Sequence, residues 1–128
     1  EEVINSRDDK LIFRCNRELV STNYDDIVYM ESSKRIINLI TTNMEYQFYG
    51  KIIDVYIELP EMLFGKTRSG CIVNYRYVSR VDKSNVWCRR GVDGKEIRLD
   101  LGRGRYNDFM TDYTSYITSE RGKSRRLW

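Results

Sequence analysis

The sequence predicts an all-β domain with a minor helical component. Three observations point there. Ten tyrosines, with frequent isoleucine and valine, in a chain of 128 residues suit pleated, half-buried surfaces. Leu11, Phe13 and Cys15 alternate with Ile12, Arg14 and Asn16, the period of two expected of a strand with one buried face. Turn-forming clusters recur at short spacing, at Thr22-Asn23-Tyr24-Asp25-Asp26, Ser32-Ser33-Lys34, Thr42-Asn43, Asp82-Lys83-Ser84-Asn85 and Asp93-Gly94. At this length a single core, and so a single domain, is expected.

Taken in order, residues 1–9 are polar and unpatterned and read as a linker or frayed terminus. The body is expected over residues 10–118. Its first strand holds Leu11, Phe13 and Cys15, and Glu18 to Ser21 form the second. Ile27 to Ser32 make the third, and the Ser32-Ser33-Lys34 connection leads to Arg35 to Thr41, whose start is apolar on both parities and so fits burial on more than one side. Thr42-Asn43 turns the chain into Met44 to Tyr49, completing a meander. Lys51 to Glu58 spaces Ile53, Tyr56 and Ile57 at helical intervals and stops at Leu59-Pro60, with Ile53 and Ile57 expected in the core. Gly70 to Asn74 and Tyr77 to Val81 read as two strands or one bent strand. Val86 to Arg90 and Lys95 to Leu99 should pair antiparallel about Asp93-Gly94. Arg105 to Ile117 places Phe109, Tyr113 and either Tyr116 or Ile117 on one helical stripe, and residues 119–128 form a basic tail.

Composition excludes several chemistries. The chain has no histidine, which removes the commonest metal ligand and the commonest general base. Cys15, Cys71 and Cys88 are odd in number and widely spaced, so neither a disulfide framework nor a zinc ribbon is indicated, and reduced thiols fit a cytoplasmic protein. Asp25, Asp26 and Glu31 lack the glycine-bounded spacing of a calcium loop. No nucleophile and base pair stands out, so no enzyme and no cofactor are expected. No apolar run reaches the roughly 18 residues of a membrane span, and the initial Glu1 reads as an excised or processed piece.

Net charge is only +3, from 22 Lys plus Arg against 19 Asp plus Glu, so the layout matters more than the total. Glu1, Glu2, Asp8 and Asp9 open the chain, whereas Arg98, Arg103, Arg105, Arg121, Lys123, Arg125 and Arg126 cluster late. In Met62 to Tyr77, Lys66 and Arg68 lead through Ser69 and Gly70 into the apolar step Cys71-Ile72-Val73 and then Asn74. That order reads as a loop entering a buried strand, with its cations left at the rim. The same pair also reads as a charged strand edge of the kind that discourages aggregation. Arg103 lies between Gly102 and Gly104, where it is either an incidental turn residue or a phosphate contact on an open backbone. Arg105 opens the last helix. Tyr75, Tyr77, Tyr106 and Tyr113 fit a core better than a base-stacking platform.

Three blocks resemble the LytTR domains, the DNA-binding output domains of bacterial response regulators. Phe64, Lys66 and Arg68-Ser69-Gly70-Cys71-Ile72-Val73-Asn74 are similar to the family's aromatic, basic and His-Arg-Ser-Tyr-Ile-Val-Asn-like string, with Arg68 at its usual histidine and Ser69 at the next position. Tyr24-Asp25-Asp26-Ile27-Val28-Tyr29-Met30-Glu31 resembles its Asp-Ile-x-Tyr-x-Glu strand, and Leu101-Gly102-Arg103 its late Leu-Ser/Gly-Arg step. The resemblance implies short antiparallel sheets stacked into an elongated body, and a bacterial transcriptional regulator that binds duplex DNA in a sequence-specific way. Loops between strands, not a helix, would enter the major groove. It implies dimers on direct-repeat sites and control by a receiver domain N-terminal to this chain. The implied contacts are Lys34, Arg35, Lys66, Arg68, Ser69, Arg103 and Arg105. The rival expectation is a protein-interaction module that pairs through an exposed strand edge and ignores DNA.

Overall fold

Every residue of the segment Cys71–Asn74 is buried, and a strand enclosed on both faces belongs in the middle of a layered structure. A computed structural model describes residues 9–119, and residues 3–7 by their backbone. Strands β1 (Val3–Arg7), β2 (Lys10–Cys15) and β3 (Glu18–Asn23) form one antiparallel sheet. The central sheet is built from β4 (Ile27–Ser33), β5 (Ile36–Thr41), β6 (Glu45–Tyr49), β7 (Phe64–Arg68) and β8 (Cys71–Asn74), in the order β6-β5-β4-β8-β7. Strands β9 (Val78–Val81), β10 (Asn85–Arg89) and β11 (Glu96–Asp100) make the third sheet. A short helix α1 (Ile52–Tyr56) joins β6 to β7, and α2 (Tyr106–Thr118) follows β11.

The two faces of the central sheet bury different cores. Met30, Ile37, Leu39, Phe48 and Ile72 pack with Leu11, Phe13 and Cys15 of β2 and with Ile52 and Val55 of α1. Phe13 stacks on Phe48 with centroids 4.5 Å apart. Val28, Cys71 and Val73 pack instead with Val86, Cys88 and Leu99 of the third sheet and with Phe109 of α2. The predicted stack of short antiparallel sheets is therefore the observed architecture, with the central sheet as its shared layer.

Several local expectations change. Val3–Arg7, read as part of a linker, is a strand that pairs with β2. Its run VINSR lacks strand periodicity, so the ladder to β2 defines it rather than an apolar face. Ile53 and Ile57, expected in the core, are 46% and 70% exposed, while Ile52, Val55 and Leu59 are buried. Both stripes have helical spacing, and the docking of a helix one and a half turns long decides between them. Lys66 and Arg68 are not on a loop: both belong to β7, and the turn to β8 is only Ser69-Gly70. The connection from β4 to β5 is Lys34-Arg35, one residue later than Ser32-Ser33-Lys34 suggests. Tyr75 is buried and Tyr77, Tyr106 and Tyr113 pack on the second core. Residues 120–128, most of the predicted basic tail, lie outside the described residues.

Two anchors hold the central sheet in place. The Asn74 amide is buried, donates to the carbonyls of Ile27 at 2.9 Å and Tyr24 at 3.2 Å, and accepts from the Arg76 amide at 2.9 Å. It therefore ties β4, the preceding 3-10 turn and the turn after β8 together. Gly65 lies under Tyr75, where a Cβ would come within 2.7 Å of three ring and hydroxyl atoms. Tyr75 is in turn surrounded by Phe109, Tyr113 and Tyr116 with centroids 5.6 to 5.8 Å away, so it has little room to yield.

Asn74→Ala should cost about 2–3 kcal/mol because it strands buried backbone groups, and Gly65→Ala about 1–3 kcal/mol by overpacking. Urea denaturation measures both, and an unchanged midpoint in either would refute the corresponding anchor. The buried acids give a pH prediction. Burial pushes the Cys71 thiol up to about 11, the Cys88 thiol up to about 12 and the Tyr29 hydroxyl up to about 12. These groups stay neutral in the fold but ionise near 9 to 10 once released. Their contribution is whole below pH 9 and is lost as pH rises from about 9 to 12. The urea midpoint should fall over that window and hold steady from pH 7 to 8.5.

Candidate nucleic-acid interface

Antiparallel chains return their turns alternately to two ends, and here the three sheets keep those ends in common. The Cys15 thiol donates to the Gln47 carbonyl at 3.1 Å, which fixes the tip of the β2-β3 hairpin beside the end of β6. The Gly102 amide donates to the Thr67 carbonyl at 2.7 Å, which fixes the segment after β11 beside the end of β7. One end consequently carries the turns Asn16-Arg17, Lys34-Arg35, Gly50-Lys51, Ser69-Gly70 and Asp82-Lys83-Ser84, together with residues 101–105. The other end carries residues 24–26, 42–44 and 90–94.

Lys34 and Arg35 form the two-residue turn between β4 and β5, both exposed, with φ of 50° and 68°. Such turns favour Asn-Gly because a side chain in the left-handed region is strained. Two long cationic residues stand there instead. The β4-β5 hairpin also reaches beyond β8, since Glu31 is the last β4 residue paired with that strand. The turn therefore protrudes.

Arg68 closes β7, and its Nη2 donates to Glu31 Oε2 on β4 at 2.9 Å, with both side chains about one-third exposed. Its Nη1 lies 2.9 Å from where a Cβ on Gly70 would stand, so the glycine makes room for the guanidinium. The Gly70 carbonyl accepts from the Ser32 amide at 2.9 Å, which sets the Ser69-Gly70 turn against the β4-β5 hairpin. Ser69 is exposed at its tip.

A bulge between Lys66 and Arg68 lets the Thr67 carbonyl take the Gly102 amide. The Thr67 hydroxyl is buried and has only the Cys71 thiol beside it. A Cβ on Gly102 would sit 3.4 Å from Arg68 Cβ and 3.3 Å from Arg105 Cδ. Arg68, Gly102 and Arg105 are thus packed side by side, and Arg103 projects from the exposed turn next to them. Gly104 has φ of 79°, the left-handed value this turn requires.

The seven residues singled out in the sequence divide. Lys34, Arg35, Arg68, Ser69, Arg103 and Arg105 occupy the same end. Lys66 does not reach the turn tips: its Nζ lies 5.0 Å from the Tyr56 ring centroid, in a cleft of about 200 Å³ shared with Arg105, Asp108 and Asp112. Sequence reasoning missed Arg17, Lys51 and Lys83, which the topology delivers to that end from three other connections. It also missed Glu31 as the partner that orients Arg68, though a carboxylate closing one strand and a cation closing another is a readable hint. Among the described residues no group of three or more His, Cys, Asp or Glu is disposed to hold a metal ion, and no helix is long and apolar enough to cross a membrane.

The comparisons agree with this geometry. Among solved structures the chain is similar to the LytTr DNA-binding domain of a protein described as a methyl-accepting/DNA response regulator from Bacillus cereus, at 10% identity and a TM-score of 0.63. That similarity covers 84% of this chain and 98% of the other, and at such identity it concerns the fold. No curated protein matches the chain. The profile of a family described as the LytTr DNA-binding domain matches residues 17–111, a span running from the β2-β3 turn into α2 and taking in all three motif blocks. The chain belongs to the LytTr DNA-binding domain family.

Proposed function

We propose that the turn-bearing end binds duplex DNA with sequence preference and that the protein acts as a cytoplasmic bacterial transcriptional regulator. The observation that carries this reading is the convergence of Lys34-Arg35, Arg68-Ser69 and Arg103 from three separate connections onto one end of a rigid three-sheet stack. Side chains held on a scaffold with fixed spacing meet a helix of fixed pitch at a low ordering cost. Lys34 and Arg35 supply phosphate contacts, and Arg68 and Arg103 reach base edges, where an arginine recognises guanine by a paired hydrogen bond. Lys66 keeps a packing role against Tyr56. Family membership supports two further elements of the proposal, paired domains on direct-repeat sites and a receiver domain preceding this one.

The Glu31 bridge shapes what Arg68 can do. A guanidinium with Nη2 committed to a carboxylate has one edge left for DNA until the bridge opens, so Glu31 sets the cost of base contact by Arg68. The strained turn carries a similar compromise: cations are retained where Asn-Gly would be more stable.

Selection from a random duplex pool followed by anisotropy titration tests the proposal. Roughly five neutralised phosphates give a slope of log affinity against log salt of about −4 to −5. Arg68→Ala or Arg103→Ala should each cost about 1–3 kcal/mol on the selected site and relax one base preference. Loss of neither affinity nor preference in both variants would sink the assignment. Lys34→Asn with Arg35→Gly should raise the melting temperature and weaken DNA binding together; a gain in stability with unchanged affinity would remove this turn from the interface.

A further inference from the structure

Arg17 lies at the tip of the β2-β3 hairpin, in the layer that the three motif blocks do not touch. Asn16 and Arg17 have φ of 52° and 67°, nearly the values of Lys34 and Arg35, and these four are the only non-glycine residues with positive φ among the described residues. Arg17 is exposed, and among the described residues no hydrogen bond or ion pair holds its guanidinium. The tip is nonetheless well placed. Asn16 lines a shallow groove with Ile36, Gln47 and Tyr49, so the hairpin abuts the residue that follows Arg35. The Gly50 amide donates to the Arg35 carbonyl at 2.8 Å, which brings the exposed Lys51 to the same side. The nearest opposing charge in sequence is Glu18, which is exposed and starts β3.

We infer that Arg17, supported by Lys51, makes a sequence-independent contact with a DNA phosphate beside the Lys34-Arg35 turn, carrying the footprint onto the first sheet. This rests on the DNA-binding reading above. The ligand chemistry is that of a phosphodiester: a guanidinium on a short tip and an ammonium next to it. Three cations, Arg17, Lys34 and Arg35, stand in the left-handed region, all in two turns at this end and nowhere else among the described residues, and the two turns are neighbours through Ile36, Tyr49 and Gly50.

Arg17→Gly is the variant of choice, because glycine accepts the left-handed backbone and removes only the charged side chain. Arg17→Lys keeps the charge. Lys95→Ala removes an exposed cation beside the 90–94 turn, at the other end of the stack. The probes are a duplex selected from a random pool and an unrelated duplex of equal length, each titrated by anisotropy over a tenfold range of salt. Arg17→Gly should weaken both duplexes by the same factor, and the wild-type advantage should grow about eightfold for each tenfold fall in salt, as one phosphate contact requires. The double variant with Lys51→Ala should steepen that dependence further. Arg17→Lys should stay within about twofold of wild type, and Lys95→Ala should match it. Wild-type binding with an Arg17→Gly salt slope equal to its own would overturn the inference and leave the DNA-binding reading standing. A loss confined to the selected duplex would overturn it too, by making Arg17 a base reader. Failure of the wild type to bind either duplex would bring down both, and the same titration tells these results apart.

Discussion

The structure depends on one constraint, the burial of the middle of the five-stranded sheet, at β4 and β8, on both faces. Val28 and Val73 face one core, Met30 and Ile72 the other, and all four are at most 1% exposed. With both faces of its middle closed, the central layer's two-residue turns run at an end, and the long connection from β6 to β7 crosses one face as α1, with Ile52 and Val55 in the core. A loop crossing a face would desolvate backbone groups that nothing is placed to satisfy. The same burial keeps charge off β5 and β8, and the turns beside them, Lys34-Arg35 above all, carry it. A layered β domain with polar turns thus gathers its cations at an end without any dedicated binding element.

Why the cations gather at this end and not the other follows from which turns accept them. The opposite end uses its polar groups internally. Asn74 holds the Tyr24 and Ile27 carbonyls, the Tyr77 hydroxyl donates to the Asp25 carbonyl, and Arg90 donates to the Thr41 and Met44 carbonyls and pairs with Glu45. Those bonds tie the third sheet and the turn before β4 to the central sheet. At the turn-bearing end the clamping bonds run mainly through backbone, Gly102 to Thr67, Ser32 to Gly70 and Gly50 to Arg35, so many side chains there stay unspent. Arg68, Asp82 and Cys15 are exceptions, and the Arg68 bridge to Glu31 fixes the geometry of the middle turn.

Much of this was legible in the sequence, for identifiable reasons. Alternation at Leu11, Phe13 and Cys15 gave the inner face of β2 because one side of that sheet is wet. The apolar step Cys71-Ile72-Val73 reads as a buried strand, which β8 is, whereas Arg35 to Thr41, expected to be buried on more than one side, fully buries only the alternate residues Ile37, Leu39 and Thr41 in β5. The stripe of Phe109, Tyr113 and Tyr116 placed α2. The failures are as physical. In α1 two apolar stripes compete, and periodicity cannot say which one docks. Lys34-Arg35 carries none of the Asn-Gly chemistry that marks a tight hairpin, and Asn16-Arg17 carries only its asparagine, so the first turn is displaced in the sequence reading and the second appears only as a short polar link. Lys66 looked like Arg68 in sequence, yet the bulge at Thr67 and the approach of Tyr56 separate their fates. Arg17, Lys51 and Lys83 sit in no motif, and only the return of alternate turns to one end brings them to the others.

A net charge of +3 would suggest a weak affinity for a polyanion, and the fold shows why that total misleads. Asp9, Asp25, Asp26 and Asp93 lie at one end of the stack, and Arg17, Lys34, Arg35, Lys51, Arg103 and Arg105 at the other. Strands of about six residues, at ~3.3 Å per residue, separate the ends by roughly 20 Å. At physiological ionic strength charges are screened over about 8 Å, so a phosphate at one end barely senses the carboxylates at the other. What it senses is the local sum, in which Glu31 is already bound to Arg68 and Asp82 accepts from the Ser84 and Asn85 amides within its own turn. A ligand at either end therefore meets that end's own local charge rather than the total. The orientation toward DNA proposed above follows from the order in which turns alternate along the chain, and every strand that keeps its register helps to maintain it.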